Sequence, residues 1–352
     1  MSNFPSPCFI MQSHKLAKNL ALFASIKHKN IKWLYTIKCF HEQEALIQIA
    51  QTFDGFSIGN LTELSKIPIN NVQHIHTYSP AFYPHEVLSL AKASDSISFN
   101  SLTQWQSYAK ETSAYTSIGL RINPKLKIKQ PSYCDSSHEN SRFGVDYRKF
   151  IKCYEENSQD FNTLDGLHFH VFCHQGLKAF QTLLTHIQTH YKNILPKLKW
   201  LNLGGGQSFT ENHYDIQGFI HAIKTFSHLY PHLTLYFEPA SAVVNDTGYF
   251  SCTILDIIED KIPKVILDTS IETHLLDVSI SKRKLQIIES TKKGLQYEIT
   301  GMSCIAGDTF GTYHFPKKLQ IGDRLRFSNM IGYTLVKQTE FNGIGKAGFI
   351  IM

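Results

Sequence analysis

A lysine, a histidine pair, a glycine triplet and a glutamate all stand at the downstream ends of short apolar runs in this sequence. Lys38 closes WLYTIK, His168 and His170 close in on the end of LDGLHFHV, Gly204, Gly205 and Gly206 follow WLNL, and Glu238 closes LTLYFE. Singly, each has an ordinary explanation. Lys38 reads as a solvated surface lysine, either histidine as a satisfied core residue, and Glu238 as a rim acid paired with a Lys or Arg. A glycine turn can offer backbone N–H groups to an anion, which alone is weak evidence of phosphate. As a set they are an amine, a flat ring, an anion cradle and an acid, and pyridoxal phosphate needs this set. Its aldehyde forms a Schiff base with a lysine, its phosphate takes amide donors, its pyridine nitrogen takes a carboxylate, and a ring can pack on its face. A metal is not expected, because His168 and His170 lack a third ligand at a catalytic zinc spacing.

The elements that would bring these residues together recur at a regular interval. Eight β-branched or aromatic runs, Trp33–Lys38, Asp54–Ile58, His74–Tyr78, Ser96–Asn100, Ser117–Asn123, Leu164–Val171, Trp200–Leu203 and Leu233–Glu238, alternate with helical stretches such as HEQEALIQIAQ and FQTLLTHIQTHYKN. Eight βα units predict an α/β fold with a (β/α)8 barrel over residues 13–240, whose active site lies where the strands end. Beyond Pro239 the texture turns to strand after strand with turns between them. This predicts an all-β, barrel-like domain over residues 241–352, completed by the N-terminal run PCFIMQ in residues 1–12.

Composition narrows the class. At 352 residues, 42% hydrophobic and 18% charged, the chain can bury a sizeable core, and no apolar run approaches the roughly 20 residues that span a bilayer. Thirty-five Lys and Arg against 29 Asp and Glu leave a net charge of +6, scattered along the chain, which predicts neither a nucleic-acid footprint nor a membrane surface. Seven cysteines without a CxxC pair, and a start that lacks a signal-peptide pattern, predict a reducing cytoplasm.

Ordered segments along nearly the whole chain resemble the alanine-racemase-fold (fold-type III) pyridoxal-phosphate decarboxylases, and more closely the carboxynorspermidine/carboxyspermidine decarboxylases of bacterial polyamine synthesis. They include YTIKCF, DGFSIGNLTEL, LRINPK, NSRFGV, GLHFHVFCHQG, WLNLGGG, FEPASAVVNDTGY, GMSCIAGDTFG and FNGI. The resemblance implies pyridoxal phosphate as cofactor, with Lys38 as the Schiff-base lysine and His170 stacked on the ring. It makes Gly204, Gly205 and Gly206 the phosphate loop, Glu238 the partner of the pyridinium, and Tyr333 a residue near the phosphate. It also implies a homodimer with two shared sites, in which Cys304 and Asp308 reach the neighbouring subunit's site and Cys304 returns a proton to the α-carbon. Before that resemblance, Cys304 reads as a packed thiol and Arg142 equally as a surface arginine or an anion contact. With it, Arg142, Ser241, His274, Asp277 and Asp308 become candidates for substrate contact.

Two departures bear on substrate. The family's acid after the cysteine of HTLCEQ-like segments is His174 here, and EPGEA reads Glu238-Pro-Ala-Ser241-Ala, so two acids expected near a cationic polyamine are missing. Rival readings are a decarboxylase of diaminopimelate or ornithine, a non-catalytic cofactor-binding regulator, and a racemase. The second domain argues against the regulator, and the lack of a tyrosine in GMSCIAGD argues against the racemase.

Overall fold

The computed structural model describes residues 4–68 and 72–352. They fall into two compact units, one formed by residues up to Lys18 together with Val244–Met352, the other by Asn19–Val243. In chain order, β1 (Cys8–Met11) precedes the strands of the larger unit. These are β2 (Ile31–Thr36), β3 (Gly55–Ile58), β4 (Ile75–Tyr78), β5 (Ser96–Phe99), β6 (Ser117–Asn123), β7 (Val145–Asp146), β8 (Leu164–His168), β9 (Trp200–Asn202) and β10 (Thr234–Phe237).

Parallel pairing runs from β2 through β3, β4, β5, β6, β8 and β9 to β10, and β10 pairs back onto β2. Among the described residues, eight strands therefore close a barrel, with the two-residue β7 attached to β6. Its floor is packed around the Trp200 indole. A Cβ added at Gly119 or Gly166 would lie 2.3 or 2.1 Å from that ring, so both strands must carry glycine where they face it. A second cluster joins β2 and β10 to neighbouring helices and loops: Phe23, Trp33, Phe53, Phe209, Phe219 and Phe237 stack edge and face at centroid separations of 5.0–6.5 Å.

The smaller unit is built on β11 (Gly248–Ile258), β12 (Lys264–Leu267), β13 (Leu295–Thr300), β14 (Thr309–Phe315), β15 (Arg324–Ser328) and β16 (Gly348–Ile351). Its sheet has the order β14-β13-β12-β11-β1-β16, with β15 also on β11, so the N-terminal strand lies between the eleventh and the last. The β domain expected beyond Pro239 is present as this separate sheet, with short helical turns between strands. Short helices occur at Ser241–Val244, Ile271–His274, Leu276–Ser281 and Tyr333–Val336, each of four to six residues and too short to show a 3.6-residue period in sequence. Among the described residues, no helix is long and apolar enough to cross a membrane.

Candidate active site

Lys38 lies beyond the strand it was expected to end. β2 stops at Thr36, and Ile37–Cys39 form a tight 3-10 turn in which Ile37 and Cys39 are buried while Lys38 remains open to solvent. The wall around it nonetheless withholds enough water to lower its pKa. Burial is the largest cause, Arg121 adds to it, and Glu238 and Glu63 oppose it. A lysine with a lowered pKa is a better nucleophile at neutral pH.

Glu238 directly follows β10 and is 6% exposed. Its backbone N–H donates to Gly204 O at 2.8 Å, its carbonyl accepts from Thr36 Oγ1 at 3.2 Å, and its Oε1 accepts from Asn202 Nδ2 at 2.8 Å. The glycine turn is tied to the same residues. Gly204 N–H donates to Asn202 Oδ1 at 2.9 Å and Gly205 N–H to His170 Nδ1 at 3.2 Å. This narrows the expected phosphate loop, because two of its N–H groups already hold the turn in place. The need for glycine is steric: a Cβ at Gly205 would meet Glu238 O at 2.1 Å, one at Gly206 would meet Phe172 O at 2.0 Å, and Gly204 and Gly206 have φ of +65° and +87°.

His168 ends β8, three residues earlier than the expected strand end at Val171, and His170 follows in the loop. The His170 carbonyl accepts from Ser136 Oγ at 2.6 Å and from Arg121 Nη2 at 3.2 Å. Burial, then Arg121 and Lys38, hold its imidazole well below its ordinary pKa, and Gly205 N–H donating to Nδ1 leaves the proton on Nε2. The expected lack of a third ligand beside the histidines is also corrected. Glu238 joins His168 and His170, with donor atoms all within 4.8 Å of one another. Zinc ligands at about 2.1 Å from the metal stand roughly 3.4 Å apart. A neutral ring, a buried carboxylate, a desolvated lysine and a turn with no room for side chains fit pyridoxal phosphate.

Arg121 was not singled out from sequence, although an arginine in the apolar run SIGLRIN is a signal. It is 4% exposed on β6, and its guanidinium lies 4.6 Å from the Tyr78 ring centroid and 4.8 Å from that of Phe143. Glu63 was missed too; its Oε2 accepts from Gly59 N–H at 2.7 Å. Arg142 stays exposed on the long loop between β6 and β7, with its guanidinium 4.3 Å from the Phe143 ring. That loop clasps the His170 segment: Gln130 Oε1 accepts from Cys173 N–H, Gln130 Nε2 donates to Val171 O, and Cys134 and Cys173 form a disulfide. Cysteines 39 residues apart give no CxxC signal, so the sequence did not show this pair. His174 has φ of +50°, and Ser241 is half-buried at the start of its short helix.

The smaller unit carries the remaining candidates. Cys304 is exposed, and its N–H donates to Asn342 Oδ1 at 2.7 Å. Asp308 is 4% exposed with both oxygens engaged, Oδ1 by Ile271 N–H and Oδ2 by Ser303 N–H and Oγ. His274 is fully buried, its Nδ1 on Thr269 Oγ1 and its Nε2 on Gly345 O. Asp308 and His274 thus already have hydrogen-bond partners within the smaller unit. Asp277 Oδ2 accepts from Thr334 Oγ1 and faces Arg283, while its Oδ1 has no hydrogen-bond partner. Tyr333 is half-buried at the start of its own short helix.

The family model for the pyridoxal-dependent decarboxylase, pyridoxal binding domain, matches residues 11–245. The chain belongs to the pyridoxal-dependent decarboxylases. This enzyme is 33% identical over 96% of its length to the carboxynorspermidine/carboxyspermidine decarboxylase of Campylobacter jejuni, of which 91% is covered. It is 31% identical over 98% of its length to the carboxyaminopropylagmatine decarboxylase of a Synechocystis species, of which 89% is covered. The crystal structure of carboxynorspermidine decarboxylase from Campylobacter jejuni complexed with norspermidine superimposes with a TM-score of 0.89 at 32% identity, covering 99% of this chain and 94% of that one. Diaminopimelate decarboxylase from Helicobacter pylori, 17% identical with a TM-score of 0.83, shares the fold.

Proposed function

We propose that this decarboxylase releases CO2 from a carboxylated polyamine, carboxynorspermidine or carboxyspermidine, in polyamine biosynthesis. The observation that carries this reading is the likeness to the carboxynorspermidine/carboxyspermidine decarboxylases over almost the whole length of both chains. A second reading, a carboxylated aminopropylagmatine, is favoured by the equally extensive likeness to the Synechocystis enzyme.

When bound, pyridoxal phosphate supplies an electron sink for the pair left behind by departing CO2. Lys38 would hold the cofactor through its amine, whose lowered pKa favours the nucleophilic form. Glu238 keeps a proton on the ring nitrogen, so that charge arriving there is neutralised. His170 would cover a face of the ring, the glycine turn and Tyr333 would receive the phosphate, and Arg142 would meet an anionic group. With His174 and Ser241 in place of acids, the spare oxygen of Asp277 is the acceptor left for a distal ammonium. Cys304 Sγ, delivered by the partner subunit of a homodimer, returns the proton to carbon. We place the enzyme in the cytoplasm, the compartment expected for biosynthesis of this kind.

The test is CO2 release from carboxynorspermidine, carboxyspermidine, carboxyaminopropylagmatine, diaminopimelate and ornithine, with Lys38→Ala as control. Turnover of one of the first three, absent in the control, is expected. Release from diaminopimelate or ornithine alone would reject the reading.

A further inference from the structure

Beneath Glu238 the barrel lumen holds a chain of polar groups that the chemistry above does not use. Lys32 Nζ lies 3.5 Å from His74 Nδ1, His74 Nε2 lies 2.9 Å from Ser96 Oγ, and Ser96 Oγ lies 2.7 Å from His76 Nδ1. His76 Nε2 stands 3.1 Å from Ser98 Oγ and 3.9 Å from Glu238 Oε1. His76 and Ser96 are fully buried and His74 is 5% exposed. A barrel floor is ordinarily filled by branched apolar side chains, so two buried imidazoles joined through one hydroxyl are costly unless something uses them.

With the Tyr236 hydroxyl, which also bonds Ser96, donating to Oγ, the donors and acceptors run in a single direction. A lysine ammonium can only donate, so His74 Nδ1 accepts and its proton sits on Nε2. Nε2–H then donates to Ser96 Oγ, whose own hydrogen goes to His76 Nδ1. His76 therefore carries its proton on Nε2, the atom facing Ser98 and Glu238. Both rings are neutral: burial pushes His74 and His76 down to about 3, with Lys32 adding to the effect at His74. On the other side of the acid, His168 Nε2 lies 3.7 Å from Glu238 Oε2, and both nitrogens of that 1%-exposed ring lack a hydrogen-bond partner.

We propose that His76, aligned by Lys32, His74 and Ser96, is a positioning residue that turns an N–H toward Glu238 and keeps its carboxylate anionic and aimed at the cofactor's ring nitrogen. The proposal rests on the reading that Glu238 faces that nitrogen.

The probe is the affinity of the apoenzyme for pyridoxal phosphate relative to 1-deaza-pyridoxal phosphate, which has carbon in place of the ring nitrogen, followed by tryptophan fluorescence. Wild type should prefer the natural cofactor by roughly ten- to a hundredfold, the scale of one hydrogen bond to a charged group. Glu238→Gln should abolish the preference. His76→Leu and Ser96→Ala should lower it about tenfold, and His76→Gln, which keeps a donor, should restore part of it. Lys32→Met, at the far end of the chain from the acid, should lower the ratio in the same direction. A purely structural His76 would weaken both ligands equally and leave the ratio unchanged. If Glu238→Gln removes the preference while His76→Leu, Ser96→Ala and Lys32→Met keep it, the relay is overturned and the Glu238 reading stands. If Glu238→Gln itself keeps the preference, both fall.

Discussion

Lys38 shows how far a single residue can be read. Its type and its place after an apolar run pointed to a Schiff base, but the property that makes it reactive comes from neighbours distant in sequence. Burial and Arg121 lower its pKa, while Glu238 and Glu63 pull it back up. The unprotonated amine is the nucleophile, so a lowered pKa moves the rise in reactivity to lower pH. In apoenzyme given pyridoxal phosphate and cyanoborohydride, covalent trapping at Lys38 should climb with pH around a midpoint below the roughly 10.4 of a free lysine. Arg121→Leu should raise that midpoint and Glu238→Gln should lower it; mass spectrometry of the modified peptide follows both. A midpoint at the free-lysine value would show that the wall of the site does not desolvate the amine. Arg121, Glu63 and His76 escaped notice in the sequence for the same reason that they matter. Their chemistry depends on partners across the barrel, and the one local signal is the charge of Arg121 inside the apolar run SIGLRIN. Asp308 and His274 were singled out by residue type, and the tertiary partners on their polar atoms were equally invisible in the sequence.

At the scale of elements, the strands were legible because each is a short β-branched or aromatic run, and the closure of eight of them followed from the count. Their ends were not. β2 gives way to a 3-10 turn before Lys38, and β8 stops at His168, because the last residues of each run leave the ladder to build the mouth. The barrel's polar interior has a consequence for stability. His74 and His76 are held neutral down to about pH 3, and burial also lowers His168 and His170 well below their ordinary values. The unfolded chain protonates its histidines near pH 6.5, so below that pH it binds protons that the folded state refuses. Stability is then complete above about pH 6.5 and declines toward pH 3, by about 1.4 kcal/mol per pH unit for each such histidine. Calorimetry of the apoenzyme between pH 6.5 and 5, where carboxylates stay ionised, should show Tm falling with acidification, and His76→Gln should shed one proton's share of the slope. A flat Tm across this window would contradict the assignment of neutral, buried rings.

The molecule as a whole raises the question of what the exposed segment around Cys304 is for. In the smaller unit, Met302 and Ile305 flank the thiol at 43% and 40% exposure, and Phe341, beside the Asn342 that accepts from Cys304 N–H, is 42% exposed. Apolar side chains clustered around an exposed thiol on an ordered loop are costly to leave in water, and a second copy of the chain related by a two-fold axis would cover them on both subunits at once. If that copy also receives Cys304 into its barrel, each site is built from two chains: Lys38 from one and the thiol from the other. Two inactive variants then become complementary. Lys38→Ala lacks the amine but can still lend Cys304, and Cys304→Ala lacks the thiol but keeps Lys38. After random exchange of equal amounts, half of the dimers are hybrids with one intact site each, so activity should recover to about a quarter of wild type. The double variant Lys38→Ala, Cys304→Ala mixed with wild type is the control, because each of its hybrids has one site that lacks only the lysine and one that lacks only the thiol, so they add nothing to the activity of the wild-type dimers. Recovery near zero, with exchange verified by mass spectrometry of the intact dimers, would mean that each chain completes its own site and that the apolar rim around Cys304 serves another contact.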